Sequence, residues 1–350
     1  MKHLALAVFW AVAARPQATA PEPPEAMTHA RRAYDLSREG KFDQAVADLL
    51  EAARLAPANP LYRSALGGLY ERDGKLAQAA ASFAEAVSLD PDNVRLRLRL
   101  ATIQSQTSQF ESARTNLLKV LEKQPGEASA TALLESVSLE WGAELARSRR
   151  YRAGLALARD TSARFARSAS VHLMLGLFEA RNQLNLNAVA AYRRALELEP
   201  QSAEALVGLG VAQSSAGLLQ EAQATFDEGV KKFPTGAACR QAYGALLVKM
   251  ADSGAVPLTR AIKMLESALK LDPSLAEAHY QLGNLALAAD DAAAAAVHFD
   301  AASRNGLDDS RLHYAAARAQ RRLGHQVEAD HHLALFRARK SAEQSAGSEQ

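Results

Sequence analysis

Prolines at a fixed interval constrain this chain more than any other feature. Pro57, Pro91 and Pro125 stand 34 residues apart, as do Pro200 and Pro234. Self-similarity at that period signals stacked supersecondary units, each unable to bury an apolar face alone. From Pro125 to Pro200 the chain carries two periods plus seven residues, and from Pro234 to Pro273 one period plus five. Placing each proline at position 32 of a 34-residue unit makes the units begin at Ala26, Pro60, Val94, Glu135, Ala169, Ala203, Ala237, Ala276 and Ser310.

Side chains then repeat in step. Position 8 reads Ala33, Gly67, Ala101, Gly142, Gly176, Gly210, Gly244, Gly283 and Ala317. Position 20 reads Ala45, Ala79, Ala113, Gly154, Ala188, Ala222, Ala261, Ala295 and Ala329. Position 24 is bulky (Leu49, Phe83, Leu117, Tyr192, Phe226, Leu265, Phe299, Leu333), with Ala158 the exception. Helices approach to about 8–10 Å only across small side chains, so positions 8 and 20 are expected where the two helices of a unit meet. Position 24 fills the space beside them. Gly40, Gly74, Gly217 and Gly324 suit the left-handed turn between helices. Composition agrees: 48% of residues are hydrophobic but only 6% aromatic, which serves closely stacked helices better than one globular core.

The pattern resembles the tetratricopeptide repeat family, best in Arg63-Ser64-Ala65-Leu66-Gly67 followed by Tyr70, Ala79, Phe83, Ala86 and Pro91. The resemblance implies an all-α, right-handed superhelical solenoid of about nine helix-turn-helix repeats over residues 26–343. The seven extra residues before the fourth unit, Ala128 to Leu134, are two helical turns and predict a lengthened first helix. The five extra residues of the seventh unit are expected in the turn around Asp252 to Pro257. Residues 344–350 are expected to be disordered.

Met1-Lys2-His3, the apolar run Leu4 to Ala14 and the Pro-rich stretch to Pro24 have the layout of a secretory leader and linker over residues 1–25. The expectation is an exported, periplasmic or secreted protein, with a cytoplasmic one as the alternative. The apolar run is too short for an integral membrane span. The single cysteine, Cys239, permits no disulfide framework. A net charge of +2 is lower than a nucleic-acid binder usually carries, and no nucleic-acid partner is expected.

No nucleophile elbow, phosphate-cradling loop, zinc-protease motif or paired-cysteine motif occurs, so neither enzyme activity nor a cofactor is expected. His325, Glu328 and His332, spaced to share a helical face, are the one weak metal candidate; a solvated helix face near the C-terminus is the better explanation of them. His29, His172, His279 and His313 all fall at position 4, where packing against a neighbouring helix accounts for them.

In the resembled family the first helices line a groove through positions 2, 5, 9, 12 and 13. Mapped here, it carries Leu139, Leu173, Leu177, Val207 and Val211, with Tyr280 toward one end, and a basic position 13 in six units: Arg38, Arg72, Arg147, Arg181, Lys249 and Arg322. Neighbouring first helices about 10 Å apart match acidic groups on every third residue of an extended peptide rising about 3.3 Å per residue. Basic residues near helix ends also satisfy the helix dipole, an alternative that stays open. The functional expectation is a non-catalytic scaffold that binds an extended or helical segment of another protein, with acidic partner segments favoured. Two alternatives remain: a structural subunit of an envelope complex using its convex face, and a metal-binding or enzymatic accessory protein using the last repeat.

Overall fold

The computed structural model describes residues 22–348, so most of the expected leader and linker and the last two residues lie outside the described part, while Pro24 and Glu25, expected in the linker, open the first helix. Eighteen α-helices are found among the described residues, with no strand. They fall into two compact units, one ending at Glu144 and the other beginning at Leu145. The N-terminal unit contains α1 (Pro24–Arg38), α2 (Phe42–Leu55), α3 (Pro60–Arg72), α4 (Leu76–Leu89), α5 (Val94–Gln106), α6 (Phe110–Lys123) and most of α7 (Ala128–Arg147). The C-terminal unit takes in the end of α7, then α8 (Tyr151–Arg164), α9 (Ala169–Arg181), α10 (Asn185–Leu198), α11 (Ala203–Ser215) and α12 (Leu219–Lys232). It continues with α13 (Ala237–Asp252), α14 (Leu258–Leu271), α15 (Ala276–Ala288), α16 (Ala292–Arg304), α17 (Ser310–Arg322) and α18 (Gln326–Ser348).

The 34-residue period has a local cause. The second helices from α2 to α14 each end in a turn whose fourth residue donates its N–H to the first, as Asn59 does to Ala56 (3.1 Å) and Ser202 to Glu199 (3.1 Å), whereas α16 closes on left-handed Gly306. Pro57 and Pro200 are the second residues of these turns, where a fixed φ is favoured. The fourth residue then caps the next helix: Asn59 accepts from Leu61 N, Asn93 from Leu96 N and Ser202 from Ala205 N. The fourth repeat lacks the proline yet makes the same turn, with Ser168 N donating to Phe165 O at 3.0 Å.

The turn inside a repeat is nearly as constant, except in the seventh repeat, where Gly254 takes the left-handed place at φ 74°. Position 15 is left-handed in Gly40, Gly74, Gly217 and Gly324, with φ between 74° and 83°. Ser108, Arg149, Gln183 and Asp290 occupy the same position in other repeats and adopt φ of 57° to 64°. An L side chain is disfavoured there by roughly 1–2 kcal/mol, whereas glycine is not. Arg149→Gly is expected to stabilise the C-terminal unit by about 1 kcal/mol, read from the urea midpoint. An unchanged or lower midpoint would show that the Arg149 backbone carries no such strain.

Packing inside a repeat is closest between positions 8 and 24, where the position-8 glycine lies directly under the position-24 side chain. A Cβ built on Gly67 would fall 2.8 Å from Phe83, on Gly176 2.8 Å from Tyr192, on Gly210 2.5 Å from Phe226 and on Gly283 2.6 Å from Phe299. In the fourth repeat position 24 is Ala158, and the aromatic group comes from elsewhere. Phe178 on α9, in the fifth repeat, is fully buried and covers Gly154 on α8.

The seven extra residues lengthen α7 to 20 residues, against 13 for most first helices. The five extra residues of the seventh repeat are shared, contrary to expectation. Three extend α13 to 16 residues, and the connection to α14 is Ser253 to Pro257. Residues 344–348, expected to be disordered, continue α18. No helix among the described residues is long and apolar enough to cross a membrane.

Candidate functional site

Three of the six basic residues at position 13 close helices. In the N-terminal unit Arg72 donates to the carbonyl of Ser37 at the end of α1 (3.4 Å) and lies over the Phe42 ring. In the C-terminal unit Lys249 donates to Ser214 O on α11 at 2.7 Å, and Arg322 to Leu287 O on α15 at 2.6 Å and to Asp290 at 2.9 Å. Ser37 O, Ser214 O and Leu287 O are carbonyls of the last turn of the preceding repeat's first helix, which have no partner within their own helix. Arg181 instead sits over the Tyr151 ring at 5.8 Å. Arg38 and Arg147 are exposed and make no ion pair or hydrogen bond among the described residues.

The apolar positions divide likewise. Leu173, Val207 and Val248 are half-buried and pack against the cores of the C-terminal unit. Leu177 is half-buried, and Val211 stands 45% exposed on α11. Leu139 on α7 is half-buried. Tyr280 lines a cavity of about 610 Å³ in the last two repeats, together with Tyr314, Phe336, Arg311, Arg318 and Lys340. Arg311 stacks on Tyr280 (5.2 Å) and pairs with Glu277 and Asp309; Lys340 lies over Phe336 (5.4 Å). Arg318 is exposed and has no hydrogen-bonding or ionic partner among the described residues.

The weak metal candidate is not assembled. His325 precedes α18 and bonds Gln320 Oε1 at 2.9 Å, Glu328 is exposed, and His332 turns toward His313. Among the described residues no three His, Cys, Asp or Glu side chains come together to hold a metal ion.

What the sequence did not show is that position 4 works with position 23, across the two helices of one repeat. His29 bonds Asp48 (2.9 Å), Arg97 bonds Asn116 (3.2 Å), and His279 and His313 meet His298 and His332. A spacing of 19 residues between polar side chains was the available signal. Asp48 is nearly inaccessible; burial pushes its carboxyl up, but bonds from Arg32 and His29 and their charges more than offset this and hold it below the usual carboxylate range.

Two tetratricopeptide repeat models match, one over residues 70–137 and 182–246, the other over 30–94 and 258–306. This chain belongs to the tetratricopeptide repeat family. The stretch between 137 and 182, left out by both models, holds the fourth repeat, with its missing proline and Ala158. Solved structures of similar fold include a tetratricopeptide repeat protein from Parabacteroides merdae, 18% identical, covering 85% of this chain and all of its own (TM-score 0.39). PilW, a type IV pilus biogenesis factor, is 19% identical over 59% of this chain and 93% of its own (TM-score 0.48). Human IFIT1, solved as a dimer with PPP-AAAA, is 16% identical over 91% and 78% respectively (TM-score 0.47). No curated protein sequence matches the chain significantly.

Proposed function

We propose that this tetratricopeptide repeat protein is a non-catalytic scaffold. It takes an extended or helical segment of a partner along its first helices, with the partner's acidic groups meeting unpaired cations. The observation that carries this reading is the cavity of the last two repeats, where the unpaired Arg318 and the stacked Arg311 and Lys340 stand among Tyr280, Tyr314 and Phe336. Aromatic rings offer apolar area at low entropic cost, and an exposed guanidinium can grip a carboxylate through two parallel bonds. Exposed Arg147 and the ring-stacked Arg181 extend the same sign of charge.

Fluorescence anisotropy with labelled peptides of matched apolar content, Glu-rich or Lys-rich, tests it. The Glu-rich set is expected to bind more tightly, more weakly at higher salt, and about tenfold more weakly to Arg318→Glu/Lys340→Glu. An Arg147→Glu/Arg181→Glu chain is expected to lose affinity for the longer peptides. Equal binding of both sets, or indifference to salt and to both charge reversals, would discard the acidic-segment reading.

A further inference from the structure

Two histidine pairs occupy the same place in consecutive repeats of the C-terminal unit. His279 on α15 faces His298 on α16, Nδ1 to Nδ1 at 3.1 Å, with ring centroids 5.4 Å apart. His313 on α17 faces His332 on α18, at 3.2 Å and 5.5 Å. The first ring of each pair is anchored through its other nitrogen. His279 Nε2 lies 3.2 Å from the carbonyl of Pro273, and His313 Nε2 lies 2.9 Å from Asp308 Oδ1.

These anchors fix the tautomers. A carbonyl or carboxylate oxygen only accepts, so His279 and His313 carry their hydrogen on Nε2. A neutral imidazole has one N–H, which leaves Nδ1 of each ring as a bare lone pair directed at its partner. His298 and His332 therefore donate from Nδ1 in the resting pair. Burial disfavours their protonation, and the facing His279 and His313 add to this, with His331 also acting on His332. Glu266 on α14 and Asp300 on α16 act in the opposite sense. Neutral imidazole is the form that ligates a metal.

We infer that each pair is a two-histidine site for a late first-row divalent cation, Zn²⁺ being the reference case, with water completing the coordination. Two Zn–N bonds of about 2.0–2.1 Å at a tetrahedral angle place the nitrogens about 3.3 Å apart, close to the 3.1 and 3.2 Å found. The ring centroids at 5.4 and 5.5 Å, however, set the two lone pairs along one line, so each ring has to swing by roughly 20–30° to aim at an ion beside that line. When the ion enters, the Nδ1 hydrogen of His298 or His332 passes to Nε2 of the same ring through solvent. Each ring stays neutral and no proton is released overall. The bonds to Pro273 O and Asp308 then act as the outer-shell acceptors that orient histidine ligands. Glu266 and Asp300 contribute negative potential toward the sites. Because the two ligands belong to different helices, the ion ties the first helix of each repeat to the second and favours the folded pair by mass action. Imidazole donors equally suit Ni²⁺ and Cu²⁺.

Calorimetric titration of the full chain with ZnCl₂ at neutral pH tests the inference. Two ions per chain are expected, one for His298→Phe, one for His332→Phe, and at least tenfold weaker binding for the double variant. Phenylalanine keeps a ring in the stack and removes the nitrogens. If circular dichroism shows either variant unfolded, His279→Gln and His313→Gln remove the opposite ligand of each pair and serve the same comparison. His325→Ala and His331→Ala are expected to leave the stoichiometry unchanged. Undiminished Zn²⁺ uptake by the doubly substituted chain, or no binding below about 1 mM, would overturn it.

Discussion

Gly154→Leu is expected to destabilise the C-terminal unit by about 3 kcal/mol, because the added side chain must enter space that Phe178 already fills. A Cβ at Gly154 alone would lie 2.0 Å from Phe178 Cε1 and 2.3 Å from Cζ, tighter than at Gly67, Gly176, Gly210 or Gly283. Phe178 is fully buried and has no open side toward which to retreat. Phe178→Ala alone is expected to cost a similar 3–5 kcal/mol through the cavity it leaves. The combination Gly154→Leu/Phe178→Ala returns volume to that cavity, so its cost is expected to fall well below the sum. Urea denaturation, with hydrogen exchange of α8 and α9 as the local readout, measures all three. Additive losses would mean that Gly154 and Phe178 are not in the contact described. Gly68 on α3, where an added Cβ would meet nothing within 4 Å, is the matching control, and Ala there is expected to be neutral or mildly stabilising.

Arg159→Ala is expected to cost about 2–3 kcal/mol at the same junction. Arg159 on α8 holds Glu179 on α9 through two bonds, Nε to Oε1 at 3.0 Å and Nη2 to Oε2 at 3.2 Å. The Glu179 side chain is only 5% exposed. Removing one partner of such a pair leaves a carboxylate with little access to water, whereas replacing both by apolar groups of similar volume is often neutral. The double variant Arg159→Met/Glu179→Met is therefore expected to lie close to the parent chain. Urea midpoints of the single and double variants check this; a single variant as stable as the parent would show that the bidentate pair contributes nothing. Both substitutions fall between the fourth and fifth repeats, so their effects are expected to couple.

The repeat was legible because it rests on strict local geometry. A proline in the second place of a turn, a cap two residues later and a glycine beneath a ring each demand a particular residue type. The fourth repeat shows where such reading stops: Ala158 looked like a defect, yet the missing bulk arrives from Phe178, ten residues into the next repeat. Only packing in three dimensions could reveal that exchange. Backbone demand likewise outweighs residue preference at Ser108, Arg149, Gln183 and Asp290, which adopt the left-handed turn without glycine. The metal candidate of His325, Glu328 and His332 relied on helical spacing alone. It failed because α18 begins only at Gln326 and because His332 finds His313 across the repeat. The column of cations was readable, but not its division of labour, since acceptors such as Ser214 O and Leu287 O belong to the preceding repeat.

That division links two properties that evolution would otherwise tune separately. Lys249 and Arg322 are joints as well as charges, each latching one first helix to the end of its neighbour. On the proposed reading of this face as a binding surface, a mutation that retunes what it attracts at those positions also slackens a joint, so a gain in selectivity there comes with looser stacking of the repeats. Arg147 and Arg318, which latch nothing, are the positions where the proposed affinity could drift without mechanical consequence.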